Sequence, residues 1–300
     1  GKDAPSIKET LVNIVPSNPI AAMAEGKMLQ VILFAVLLGL AMSKTGESGR
    51  RVLKVFEDLN LIVMKLVTML IQLAPYGVFC LMVTLGVTVG WSEITKLLAY
   101  FLTVVAALLL HMMLVYPLFL RFIAGVNPLI YLKKMREPML VAFSSASSGA
   151  TLPVTLRTVE HRVGVSNSVA SFAVPLGATI NMDGTAIMQG VATVFIAQFY
   201  GFMLGPQDYL LVILTASLAS IGTAAVPGVG LIMLALVLGQ VGLPLEGIGL
   251  IIGVDRILDM MRTAVNVTGD GMVATTVAKS ENELDLQVFN DPEAGKMIAS

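Results

Sequence analysis

Residues 255–270 read Asp-Arg-Ile-Leu-Asp-Met-Met-Arg-Thr-Ala-Val-Asn-Val-Thr-Gly-Asp and lie inside an apolar run from about Leu243 to Ala278. This run predicts a membrane-spanning helix. At ~100° per residue its polar side chains share about a third of the helix circumference. We call them the polar stripe: Asp255, Asp259, Arg262, Thr263, Asn266 and Asp270. Each charge facing hydrocarbon would cost at least ~2.5 kcal/mol. The stripe therefore indicates a binding site, or, in the simpler alternative, an ion pair that only fixes helix packing.

The composition indicates a membrane protein. The chain is 56% hydrophobic and 13% charged, whereas soluble domains carry about 25% charged residues. Its net charge of -1 gives no sign of a nucleic-acid partner. Cys80 is the single cysteine, which excludes intrachain disulfides and cysteine-metal clusters. We interpret His111 and His161 as packing or surface residues rather than metal ligands, and we expect no organic cofactor.

Apolar runs upstream of the stripe predict three further spans, at Lys27–Met42, Val55 to about Val87, and Leu97–Leu120. A charged segment, Lys44–Lys54, is expected to be an interfacial loop, and Trp91–Lys96 a short polar one. If successive spans cross the membrane in alternating directions, twelve of the nineteen Lys and Arg residues lie on one side. By the positive-inside rule that side is cytoplasmic.

From residue 128 onwards the same order of predicted elements occurs twice, a hairpin of two short helices followed by a long helix. The predicted elements are hairpin 1 (128–160, tip 144–153), a broken helix (165–204, interrupted at 181–185), hairpin 2 (207–240, tip 220–228) and the stripe helix (243–278). Paired short, Gly/Pro-interrupted segments point to a transporter's substrate site. Non-helical backbone at membrane depth must be buried or line a cavity. We therefore predict an all-α polytopic membrane protein with two re-entrant helical hairpins and inverted repeats.

Four motifs resemble the glutamate/aspartate transporter family, the dicarboxylate/amino acid:cation symporters. They are Ser147-Ser148 with Thr151–Thr155, Pro175–Thr185, Gly222–Gly228, and Asp259-x-x-Arg-Thr-x-x-Asn-Val-Thr-Gly-Asp270. The resemblance extends to about residue 280 and implies a homotrimer in a prokaryotic cell membrane. Residues 1–96 would be a partial trimerisation scaffold, 97–278 a transport domain moving like an elevator, and 279–300 a polar cytoplasmic tail.

The resemblance also implies how an acidic amino acid would bind. Arg262 and Thr185 would hold its side-chain carboxylate, Asp259 its ammonium and Asn266 its main carboxylate. The remaining substrate contacts would come from Thr263, Ser148, Val226 and Gly230. One sodium site would use Gly177, Asn181, Asn266 and Asp270. A second would use Thr179, Met182, Ser220, Ile221 and Thr223.

The sequence departs from the family pattern in several places. The family's first three spans have no counterpart here, so we expect a longer protein or a trimmed chain. A further sodium site around Asp183 would need one of those spans. Ala146 stands where archaeal members carry an arginine, and Met260 where animal members do, although Arg256 lies one turn earlier. Gln189 replaces the animal proton-carrying glutamate, which argues against animal-type proton and potassium coupling.

Three other functions are weighed against sodium-coupled symport of aspartate or glutamate. The first is proton- or sodium-coupled transport of a C4-dicarboxylate or another amino acid, although an ammonium partner such as Asp259 has no use for succinate. The second is an intramembrane hydrolase with Ser147 or Ser148 as nucleophile, which would need a base within hydrogen-bond reach. The third is an anion channel, which the sequence does not separate from a transporter.

Overall fold

The computed structural model describes residues 15–24, 28–71, 76, 91–221 and 227–295. These residues are mostly helical and contain no β-strand, only one antiparallel bridge between Val165 and Leu284. The predicted all-α class is confirmed. The expectations for Cys80, for the distal part of the Val55–Val87 span and for residues 222–226 lie outside the described residues.

Fourteen α-helices occur in the described residues. In chain order they are α1 (Pro19–Ala24), α2 (Met28–Lys44), α3 (Glu47–Ile71), α4 (Trp91–Leu110), α5 (Tyr116–Phe122), α6 (Pro128–Lys134), α7 (Arg136–Ser145), α8 (Ser148–Thr158), α9 (Asn167–Ile180), α10 (Asp183–Phe199), α11 (Pro206–Ile221), α12 (Val229–Gln240), α13 (Ile248–Ser280) and α14 (Leu286–Asn290). A π-helical turn, His111–Val115, joins α4 to α5, and another, Val159–Val163, follows α8.

Residues Thr95–Phe122 form a helix of 28 residues that contains an 18-residue stretch with a mean hydropathy of 2.3. Among the described residues this is the one helix that is long and apolar enough to cross a membrane. It contains the predicted span Leu97–Leu120. The predicted span Lys27–Met42 corresponds to α2, whose apolar stretch Leu33–Lys44 is shorter than a full crossing.

The charged segment Lys44–Lys54 is largely helical, so the predicted interfacial loop is wrong. The turn is confined to Thr45 and Gly46, where Gly46 takes a φ of 58°. Helix α3 then begins at Glu47, an acid in the first turn that complements the helix dipole. Lys54 lies 3.2 Å from Asp58 across one helical turn, an arrangement that supports an exposed charged helix.

The chain reverses direction between α7 and α8 in a turn of two residues. Ala146 adopts a left-handed conformation (φ 52°), and the Ser147 side chain caps α8 by accepting a 3.1 Å hydrogen bond from the Ala150 amide. Helices α7 and α8, which correspond to the two arms of predicted hairpin 1, pack against each other. The predicted tip over 144–153 is too long, because Pro153 lies inside α8.

The long helix after this pair breaks at Asn181-Met182, within the predicted interruption at 181–185. Both residues leave the helical region, with φ/ψ of -95°/67° and -107°/51°. The end of α9 and the start of α10 consequently have carbonyl and amide groups without partners in their own helices. Both helices pack on α13, which also contacts α4, α7, α8 and α12. The stripe helix is thus the centre of the fold.

Candidate functional site

The polar stripe on α13 faces the protein interior. The six residues of the stripe are only 2–6% exposed, whereas Ile257, on the opposite side of the helix, is 51% exposed. This burial is expected from the cost of placing ionised groups in hydrocarbon. The stripe therefore needs partners from within the fold.

Arg262 finds its partners on its own helix. Its Nη1 donates to Asp255 Oδ1 at 3.1 Å, and its Nε donates to Asp259 Oδ1 at 3.0 Å. Nη2 lies 2.9 Å from the same Asp259 oxygen, but it is not oriented to donate a hydrogen bond. Side chains on a helix tilt towards its N-terminus, so an arginine can reach back to acids one and two turns earlier. The three groups carry a net formal charge of -1.

The start of α12 covers this ionic cluster. The Gly228 amide donates a 2.9 Å hydrogen bond to Asp259 Oδ2. Gly230 lies so close that a Cβ built on it would be 2.9 Å from the Arg262 guanidinium carbon. Backbone rather than side chain thus forms the wall opposite Arg262, and any side chain at position 230 would compete for the space of the guanidinium.

Asn266 joins α13 to the start of α10. Its Oδ1 accepts a 2.7 Å hydrogen bond from the Gly184 amide, and its Nδ2 donates to Thr185 Oγ1 at 3.3 Å. The Thr185 hydroxyl also lies 4.0 Å from the Met182 sulfur. Thr263 is committed to its own helix, where its hydroxyl donates to the Asp259 carbonyl at 2.7 Å. Thr185 and Asn266 are therefore brought together beside Arg262.

Asp270 is buried beside the break between α9 and α10. Asn181 Nδ2 donates to Asp270 Oδ1 at 3.1 Å, and a Cβ built on Gly177 would lie 2.8 Å from the same oxygen. Within the described ranges no basic side chain forms an ion pair with Asp270. A buried carboxylate without a countercharge is costly. Carboxylate, amide and backbone oxygens at a helix end are the donors that a hard cation prefers.

Asp183, the first residue of α10, forms a cluster that sequence reasoning missed. His111 Nε2 lies 2.7 Å from Asp183 Oδ2, and Tyr116 donates to the same oxygen at 2.5 Å. The Tyr116 hydroxyl also contacts the Val265 carbonyl at 3.0 Å. His111 therefore has a carboxylate partner, which its interpretation as a packing or surface residue does not predict. Its position in a π-helical turn is a feature common at functional sites.

The structure brings the remaining predicted site residues together less completely. Ser148 is buried in the first turn of α8, which packs on α13. For the second sodium set, Met182 and Ser220 are buried, whereas Thr179 and Ile221 are exposed. Thr223 and Val226 lie outside the described residues. The described structure thus does not close the second set around a common centre.

Gln189 of α10 contacts the backbone wall that α12 forms over the ionic cluster. Its Nε2 donates to the Gly230 carbonyl at 3.3 Å, while its Oε1 is buried with no hydrogen-bond partner among the described residues. Gln189 is therefore a neutral neighbour of the ionic cluster.

In the described residues, a helical fold with one membrane-length apolar helix and an ionic cluster buried on its central helix is typical of membrane proteins that bind charged solutes or ions. A family model narrows the class, because the model for the sodium:dicarboxylate symporter family matches residues 1–280. The chain belongs to this family.

Three curated relatives illustrate the similarity. The chain is 38% identical to the proton/glutamate-aspartate symporter of Escherichia coli over 280 residues, which are 93% of this chain and 64% of the relative. It is 37% identical to the proton/sodium-glutamate symport protein of Bacillus subtilis over 98% of this chain and 67% of the relative. It is 41% identical to excitatory amino acid transporter 2 of Mus musculus over 86% of this chain and 46% of the relative. The chain thus spans about half to two thirds of these relatives.

Proposed function

We propose that this chain is the larger part of a secondary active transporter that carries aspartate or glutamate together with sodium. The observation that carries the proposal is the buried Arg262–Asp259 pair beneath the backbone of α12. An arginine can bind a carboxylate in a bidentate manner, and an aspartate one turn away can bind an ammonium. Together they match the two charges that distinguish an acidic amino acid from a neutral one.

The ionic cluster suggests how substrate binding proceeds. Asp255 and Asp259 neutralise Arg262 before a substrate arrives, so the substrate carboxylate has to replace at least one of them. Asp259 is then free to take the ammonium, with Thr185 and Asn266 beside the carboxylates. Thr263, Ser148, Val226 and Gly230 complete the proposed site. The exchange keeps the guanidinium paired throughout, which avoids the cost of an unpaired buried charge.

Formal charge supports coupling to cations. Asp255, Asp259, Arg262 and Asp270 sum to -2, and an acidic amino acid lowers the sum to -3. A buried excess of negative charge is unfavourable unless cations enter with it. We propose that sodium binds at Gly177, Asn181, Asn266 and Asp270, and that a second sodium uses Thr179, Met182, Ser220, Ile221 and Thr223, with Asp183 contributing to a further site.

The proposed architecture follows the resemblance described above. The two helix pairs α7–α8 and α11–α12 would be re-entrant hairpins in an inverted repeat. Residues 1–96 would belong to a trimerisation scaffold and 97–278 to a transport domain that moves as an elevator. The protein would be a homotrimeric, multi-pass protein of a prokaryotic plasma membrane, with residues 279–300 in the cytoplasm, and it would not be an enzyme.

The alternative substrate is a C4-dicarboxylate, which the family name includes. Asp259 favours the amino acid, because a dicarboxylate would place a second anion next to this buried carboxylate. Names of the relatives differ in the coupling ion, since one is a proton symporter and another a proton/sodium symporter. Imposing a sodium gradient and a pH gradient separately would decide which ion drives uptake.

The test is uptake of L-aspartate by the full-length protein reconstituted in proteoliposomes. Arg262→Cys should abolish sodium-driven uptake, because the side-chain carboxylate loses its partner. Arg121→Cys is the control, since this arginine is exposed at the end of α5, outside the stripe helix, and it should retain uptake. Unchanged aspartate uptake by Arg262→Cys would exclude the assignment.

A further inference from the structure

A cavity of about 800 Å³ lies between α6, α7 and the tail, and none of the stripe residues lines it. Four basic side chains line it, Lys133, Lys134, Arg136 and Arg162, together with one acid, Glu137. Asn290 and Pro292 form the wall contributed by the tail. We call it the basic cavity. Residues of this cavity take no part in the substrate or sodium sites proposed above.

The tail wall is fixed in place by Lys134. The buried Lys134 ammonium donates three hydrogen bonds, to the carbonyls of Arg162 (2.5 Å), Val288 (2.7 Å) and Asp291 (2.8 Å). The Gly164 carbonyl also accepts a 2.8 Å hydrogen bond from the Asp285 amide. The cavity is therefore bordered by α6, α7 and the tail, and hydrogen bonds hold the tail wall in place.

The basic cavity carries an excess of positive charge. Glu137 is already shared, because it pairs with Arg157 and lies 3.8 Å from Arg162. Lys133 and Arg136 are exposed one turn apart and form no ion pair or hydrogen bond with the described residues. Burial, and then the nearby positive charge of Arg162, lowers the pKa of Lys134, while the Asp291 carboxylate opposes this shift. Four basic side chains thus line the cavity together with one acid, which is already paired, so a bound anion would be stabilised there.

The remaining wall of the cavity is apolar. Ile130, Leu140 and Val141 line it, and Leu140 is 62% exposed. A soluble anion would gain nothing from this surface. A molecule with a phosphate at one end and a hydrocarbon chain at the other would use both walls. Basic pockets beside membrane helices on the cytoplasmic side bind anionic lipid headgroups in this manner.

We propose that the basic cavity is a binding site for an anionic phospholipid, with the phosphate on Lys133, Arg136 and Arg162 and the acyl chain along Ile130 and Leu140. The site is independent of the transported substrate. Through this site, the packing of the tail against the first helix pair would depend on the lipid composition of the membrane.

Thermal unfolding of the purified full-length protein in neutral detergent tests the proposal. We would titrate short-chain phosphatidylglycerol, short-chain phosphatidylcholine and inorganic phosphate separately. Phosphatidylglycerol should raise the unfolding temperature more than phosphatidylcholine at equal concentration, and phosphate alone should have little effect. In the double variant Lys133→Gln/Arg136→Gln, the phosphatidylglycerol concentration that gives half of the stabilisation should rise roughly 30-fold, because each basic residue near an anionic surface usually contributes about 1 kcal/mol.

Arg51→Gln/Arg121→Gln is the matched control. It removes two exposed basic residues of the same predicted membrane side and should respond as the wild type does. An equal loss in both variants, or equal stabilisation by phosphatidylcholine, would overturn the proposal. Stabilisation by phosphate alone, with no gain from the lipid, would indicate an inorganic anion site and would also overturn it. Because aspartate uptake is not the readout, failure here is distinct from failure of the proposed function.

Discussion

Arg262 Nη1 lies 3.1 Å from Asp255 Oδ1, although the two residues are seven positions apart on α13. The pair means that the guanidinium is held between two acids of its own helix. Its planar fork presents five donors in fixed directions, and Nη1, Nε and Nη2 all face these two acids. This pairing supports the proposed exchange, in which a substrate carboxylate replaces one of the two acids.

Asp259→Asn separates the two substrate hypotheses. We expect the affinity for L-aspartate to fall about 100-fold or more, because the ammonium loses a buried ionic partner. Succinate, which has no ammonium, should lose far less affinity. Equilibrium binding to the full-length protein measures both ligands. Glu246→Gln, an exposed acid, is the control. Equal losses for aspartate and succinate would contradict the assignment of Asp259.

Asp270→Asn should weaken the response to sodium. Sodium that binds the folded protein raises the unfolding temperature of the wild type. The variant keeps the shape of the side chain but lacks its charge, so the sodium concentration for half-maximal aspartate binding should rise about tenfold or more. The sodium-dependent shift in unfolding temperature should shrink in parallel. A wild-type sodium midpoint in the variant would remove Asp270 from the cation site.

Gly230→Ala tests the backbone wall opposite Arg262. The added methyl group would lie 2.9 Å from the guanidinium carbon, so Arg262 must move and aspartate binding should be lost. Gly239→Ala lies in the same helix, with nothing within 4 Å of its built Cβ. That control should be neutral or slightly stabilising, since alanine is the better helix former. Wild-type aspartate affinity in Gly230→Ala would show that the wall is not needed.

Tyr116→Phe tests the Asp183 cluster. It removes the hydroxyl that donates to Asp183 and contacts the Val265 carbonyl. We expect a loss of about 1–3 kcal/mol in the free energy of unfolding, because a hydrogen bond to a charged group is lost in a buried place. Tyr200→Phe changes an exposed tyrosine whose hydroxyl forms no hydrogen bond with the described residues, and it should cost little. Equal unfolding temperatures for the two variants would contradict a structural role for the cluster.

The elements that sequence predicted best depend on local patterns. The apolar periodicity of the Asp255–Asp270 stretch predicts its helix and its buried face, and the break at Asn181 follows from polar residues inside an apolar run. The charged start of α3 was misjudged because glycine and charge are common to loops and to exposed helix ends. Here Glu47 and the Lys54–Asp58 pair favour the helix.

Contacts between distant segments could not be predicted. His111 and Asp183 are 72 residues apart, and their pairing depends on how α10 packs against α4. Asp255 was recognised as part of the stripe, but its pairing with Arg262 depends on side-chain conformation, which spacing alone does not determine. The resemblance supplied roles for individual residues, yet it says nothing about which partners hold them when no substrate is bound.

Lys134 has one further consequence. All three of its acceptors are main-chain carbonyls, so it recognises the course of the tail and not the identity of its side chains. Substitutions at the exposed Leu286, Gln287, Asn290 and Asp291 should be tolerated as long as the backbone keeps its path, whereas Phe289 is buried in the core and should not tolerate a smaller or polar side chain. Shortening the chain before Val288 would instead leave an ammonium group without two of its acceptors. The exposed positions of the tail are therefore tolerant of substitution, but the tail is intolerant of deletion.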